Sequence, residues 1–118
     1  MVYSYWVSNT MTKFEEFHNL EQFFSGQFHQ DWTAYDKEPR EVVLRYVSKP
    51  IRTKEELQTI IYELEAFLTK YPDETDITDR LYRDLGCFYY TMAHGKNARE
   101  WLIEVKDMFA NAINKLPS

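Results

Sequence analysis

The amino-acid sequence predicts an all-α protein, a compact single-domain bundle of about five helices with short loops. Three observations carry that expectation. Apolar residues recur at three- and four-residue spacing along most of the 118 positions, the signature of amphipathic helices. Helix-start signals precede these runs, and proline or glycine closes them. With 44% hydrophobic and 17% aromatic residues, the chain holds enough apolar surface for one core and reads as one domain over residues 1–118. Neither internal repeats nor low-complexity segments interrupt it.

Residues 1–11 read as a peripheral N-terminal segment. Thr12, with Glu15 three residues later, forms a capping-box start. Phe14, Phe17, Leu20, Phe23 and Phe24 then share one side of a helix, with Gly26 as the expected stop. The stretch "GQFHQDW" follows at residues 26–32. A short second helix is expected from Pro39, which suits a first turn, to the residues before Pro50, burying Val42, Val43, Tyr46 and Val47. "TKEE" at residues 53–56 is a second capping box and opens the strongest pattern in the chain. Leu57, Ile60, Ile61, Leu64, Phe67, Leu68 and Tyr71 occupy a roughly 120° arc at about 100° per residue, and Pro72 closes the run.

A fourth helix takes Asp76 or Thr78 as its cap, Ile77, Leu81 and Leu85 as its stripe, and Gly86 as its terminator. "CFYYTMAHGKN" is aromatic and then glycine-punctuated, so it reads as an extended linker lying against the core, with a strand as the alternative. Asn97 with Glu100 opens the last helix, whose face is Trp101, Leu102, Val105, Met108, Phe109, Ala112, Ile113 and Leu116, ending at Pro117.

The net charge of −5 is unevenly distributed. Residues 55–79 carry eight carboxylates against a single cation, Lys70, whereas residues 37–54 are net basic. The acidic block repels a phosphate backbone and attracts a cationic partner. Nucleic-acid binding is therefore disfavoured, with a regulator using the stretch Lys37 to Lys54 as the competing idea. No apolar run approaches a membrane span and the N-terminus lacks signal-peptide character. A lone cysteine, Cys87, excludes an internal disulfide. Together these features point to the cytosol and to no membrane partner.

Candidate chemistry is sparse. His29 and Asp31 could serve as an acid–base pair, with Asp84 as an alternative acid, but an i, i+2 spacing rarely turns two side chains towards each other on a helix. Neither serine nor cysteine stands beside them as a nucleophile. The competing role is structural: His29 and Asp31 bond to nearby backbone while Phe28 and Trp32 plug the core. His18, His29 and His94 lack metal-ligand spacing, Cys87 has no CxxC partner, and no P-loop or GxGxxG is present. No metal or cofactor is expected. The run "DETDITD" offers Asp73, Glu74, Asp76 and Asp79 as a docking surface for a basic partner, though acids at a helix start also serve the helix dipole. Tyr62 and Ile103 fall on the polar sides of their helices, which makes them candidate anchors.

These motifs resemble the contact-dependent growth inhibition immunity proteins, small bacterial antitoxins. The resemblance rests on "LEQFFSGQFHQDW" at Leu20–Trp32 and on "LGCFYY" followed by "GKNAREWL" between Leu85 and Leu102, so it spans most of the chain from Phe14 onward. In that family the first motif commonly reads glycine, an aromatic pair, then HQDW; here Gln27 replaces the first aromatic. The resemblance implies a non-catalytic protein that binds and neutralises, in the cytosol, the C-terminal toxin domain of a delivered effector, often a nuclease; a monomer forming a 1:1 complex is expected. It implies a structural role for Gly26, Phe28, His29, Asp31, Trp32 and Trp101.

Overall fold

Helices need a common surface on which to bury their apolar stripes, and here the last helix supplies it. A computed structural model describes residues 16–34, 38–91 and 95–116. Among them are five α-helices: α1 His18–Gln27, α2 Pro39–Ser48, α3 Lys54–Lys70, α4 Glu74–Arg83 and α5 Ala98–Lys115. A 3-10 turn spans Trp32–Ala34, and the described residues contain no strand. Helix α5 packs against α2, α3 and α4, while α1 packs against α2 and α3. The all-α expectation is met.

The strongest sequence signals became the best-defined elements. Thr53 accepts from the Glu56 N–H while the Glu56 side chain accepts from the Thr53 N–H, so the expected capping box opens α3. That reciprocal pair stabilises the helix start by about 1 kcal/mol. Leu57, Ile60, Ile61, Leu64 and Phe67 are buried along it, and its chain turns out at Tyr71, just before Pro72. Pro39 sits in the first turn of α2, which ends at Ser48 before Pro50. Asn97 caps α5 by accepting from the Glu100 N–H at 2.8 Å.

Three expectations need correction. The first helix does not run unbroken from Thr12: the Thr12–Glu15 box lies outside the described residues, and Phe17 leaves helical geometry at φ −123° and ψ 31°. Packing explains the break. The Phe17 ring is driven edge-on against Phe67 at 5.2 Å and lies beside Tyr71. Gly26 is not the stop either, since α1 continues through Gln27 and the Phe28 N–H still bonds to the Phe24 carbonyl. The cap of α4 is Asp73, which accepts from the Asp76 N–H at 3.0 Å, so neither Asp76 nor Thr78 plays that part.

Gly86 does terminate the fourth stretch, with φ +66°, the left-handed conformation that glycine adopts without steric cost. Leu85 and Cys87 then bond back to the carbonyls of Arg80 and Leu81. The following segment is the extended linker that the sequence suggests. Cys87, Tyr89 and Thr91 turn inward while Tyr90 is exposed, and the Phe88 N–H bonds to the Phe28 carbonyl at 2.8 Å. His94 and Pro117 lie outside the described residues.

Three expected outcomes follow. A Cβ at Gly86 would be strained by the positive φ and would meet the Ser25 Cβ at 3.1 Å, whereas a Cβ at Gly26 would meet nothing within 4 Å. Gly86→Ala should therefore lose about 1–2 kcal/mol in urea denaturation, and Gly26→Ala should gain about 0.5–1 kcal/mol from helix propensity. Burial pushes the Cys87 thiol up to about 12, partly offset by the Tyr89 main chain. Its thiolate fraction at pH 8 is then on the order of 10⁻⁴. Alkylation monitored by mass should leave the folded protein unmodified and label it stoichiometrically in denaturant.

Candidate functional site

The "FHQDW" residues assemble a packing node. Phe28 is fully buried and Trp32 and Trp101 nearly so. The Phe28 ring lies 5.4 Å from Trp32 and 5.2 Å from Trp101, both edge-on, and Tyr89 stands 4.8 Å from Trp101. The Trp32 indole Nε1–H donates to the Phe88 carbonyl at 3.4 Å, which pins the linker from a second side. The Asp31 main-chain N–H donates to His29 Nδ1 at 3.1 Å. That contact holds the turn after α1 and occupies the lone pair a general base would need on that nitrogen. Asp84 is engaged elsewhere, accepting from Arg80 at 3.2 Å. It lines a cavity of about 280 Å³ with Phe17, His18, Glu21, Tyr71, Arg83 and Leu85. Among the described residues, no cluster of three His, Cys, Asp or Glu side chains could hold a metal ion.

The acidic run divides into structural and outward-facing groups. Asp73 caps its own helix. Glu74 is half-buried and reaches across to α5, where its Oε2 accepts from the Ala98 N–H at 2.6 Å, while within α4 the same oxygen accepts from the Thr78 hydroxyl at 3.2 Å. Asp76 and Asp79 form i, i+4 pairs with Arg80 at 3.4 Å and Arg83 at 2.8 Å. Glu63 plays Glu74's part for α1: its Oε1 accepts from the Leu20 N–H and its Oε2 from the Asn19 side chain, both at 2.8 Å. Helix α1 lacks a side-chain cap of its own, so α3 provides one.

Tyr62 and Ile103 are exposed, at 63% and 40%. They belong to different helices, yet Tyr62 lies three residues before Glu65 and Ile103 three before Lys106, the two partners of a 3.7 Å ion pair between α3 and α5. Each therefore stands within one turn of that seam. The basic stretch is less available than its charge suggests. Arg52 lies 3.7 Å over the Tyr46 ring, donates to the Tyr46 carbonyl and pairs with Glu56 at 3.6 Å.

A surface group escaped the sequence reading. Tyr82 of α4 lies 5.5 Å from Phe88 and 5.0 Å from Tyr90, so three rings adjoin on the outside. Tyr82 is 38% and Tyr90 51% exposed. A hydrogen bond with Tyr82 raises the Tyr90 phenol above its ordinary value. The available signal was the in–out alternation across "CFYY", which turns every second ring away from the core.

The division of the acids is open to measurement. Glu74→Ala should cost about 1–2 kcal/mol in thermal or urea denaturation because it leaves the start of α5 with an orphaned N–H. Thr75→Ala, at the exposed neighbouring position, should stay within about 0.5 kcal/mol of the parent.

A family model described as CdiI immunity protein matches residues 16–109. The search of curated proteins and the search of solved structures each returned no significant match. No described helix is long and apolar enough to cross a membrane. The matched span takes in the aromatic node, all of α1 to α4 and most of α5. The chain belongs to the CdiI immunity protein family, non-catalytic proteins that neutralise the cognate toxin of contact-dependent growth inhibition.

Proposed function

We propose that this protein acts in the cytosol as a monomer that captures one copy of a basic toxin domain, a nuclease, through acids of α3 and α4. The observation that carries this reading is the concentration of eight carboxylates against one lysine in residues 55–79. A nuclease must present a cationic surface to its phosphate substrate, and an acidic protein complements that surface. The roles of individual acids narrow the contact set. Asp73 and Glu74 are committed to helix starts. Asp76 and Asp79 remain at the surface, each shared with an arginine of the same helix. Tyr62 and Ile103 would add apolar contact beside the acids of α3.

Long-range attraction speeds encounter more than it slows release. The test is stopped-flow association with the toxin domain encoded beside this protein, across a salt series, comparing the parent with Asp76→Lys/Asp79→Lys. Association of the variant should slow by about tenfold at low salt and lose most of its salt dependence. An unchanged association rate would remove α4 from the interface. The same complex assayed on nucleic acid should show cleavage suppressed, and a free toxin domain that cleaves neither DNA nor RNA would overturn the nuclease assignment.

A further inference from the structure

Tyr82 and Tyr90 stand outside the core, propped on Phe88, which packs partly buried against it. Tyr82 and Tyr90 lie in tilted contact at 5.0 Å, with Phe88 edge-on to Tyr82 at 5.5 Å. Their support is rigid. Phe88 is held through its N–H by the Phe28 carbonyl and through its carbonyl by the Trp32 indole, and the residues on either side of it, Cys87 and Tyr89, are buried. An exposed aromatic pair fixed in this way has little side-chain entropy left to lose on binding.

Charge says what the rings would meet. Asp79 precedes Tyr82 by three residues on α4, so the carboxylate and the ring are neighbours on one exposed face. The Arg83 guanidinium at 2.8 Å makes Asp79 half of a pair that an incoming cation can exchange into. A tyrosine face beside a carboxylate is suited to a guanidinium, which stacks on the ring and bonds to the acid.

We infer that Tyr82 and Tyr90, with Asp79, form the anchor that holds an arginine side chain of the toxin domain. This inference rests on the toxin-capture reading above and adds a location and a contact chemistry to it. The acids of α3 and α4 would then govern encounter, and the ring pair would govern release.

The experiment measures capture and dissociation of the toxin domain by immobilised full-length protein, using the parent, Tyr82→Ala/Tyr90→Ala, Tyr82→Phe/Tyr90→Phe and Tyr90→Ala alone. Circular dichroism melting of each variant runs alongside. The double alanine variant should release the toxin about tenfold faster or more, with association changed by less than about twofold. The phenylalanine variant keeps both faces and should release within about threefold of the parent. Should the double alanine variant lose its helical signal, Tyr90→Ala, at the more exposed ring, decides by the same criterion. A parent that captures the toxin while the alanine variants release it at the parental rate overturns the anchor alone. Phenylalanine releasing as fast as alanine overturns the stacked-guanidinium contact. A parent that captures no toxin overturns the capture reading and the anchor with it.

Discussion

Five rings among the described residues surround Phe28, and they come from four parts of the chain: Phe23 and Phe24 from α1, Trp32 from the 3-10 turn, Tyr89 from the linker and Trp101 from α5. Each contact has an edge-on or tilted geometry that aromatic quadrupoles favour. Among the described residues the linker between α4 and α5 contains no strand, and this node with the two bonds to Phe88 holds its first part, while the Lys96 N–H bonds back to the Thr91 carbonyl before α5 begins. Glu74 caps the start of α5, and Trp101 joins that helix directly to the node. The helix against which α2, α3 and α4 pack is thus tied to the same buried phenylalanine that holds the linker.

The carboxylates carry a second tier of organisation. Glu63 closes the start of α1 and Glu74 the start of α5, each from another helix. A helix exposes unpaired N–H groups and a partial positive charge at its N-terminus, so an acid brought there by tertiary structure serves both needs at once. Much of the acidity that the sequence presents as surface charge is thus internal scaffolding. What stays at the surface is a smaller set: Asp76 and Asp79 on α4, and the exposed residues around the α3–α5 seam.

How far the sequence foretold this depended on the range of each interaction. The Thr53–Glu56 box, the Pro39 start and the stripes of α3 and α5 were legible because their partners lie within a turn. The cap of α4 was misassigned because "DETDITD" offers several acids and hydroxyls, and only the backbone angle at Asp73 selects among them. Gly26 misled because it lacks the positive φ with which Gly86 ends its stretch, so the helix runs past it to Gln27. The cross-caps were invisible, with Glu63 and Leu20 separated by 43 residues and Glu74 and Ala98 by 24. The Tyr82–Tyr90 contact joins a helix face to a linker, and one-dimensional periodicity carries no such pairing. The family resemblance drew on the same node residues, which is why it located the scaffold more securely than the contact surface.

The separation of these roles bears on how such a protein can change its partner. Phe28, Glu63 and Glu74 hold contacts between separate elements, so altering them costs stability. Tyr62, Asp79, Tyr82, Tyr90 and Ile103 point outward and can be exchanged at little expense in stability. If these outward residues meet the toxin as proposed, a lineage could revise its specificity residue by residue while its scaffold stays constant, and the intermediates along the way would remain folded.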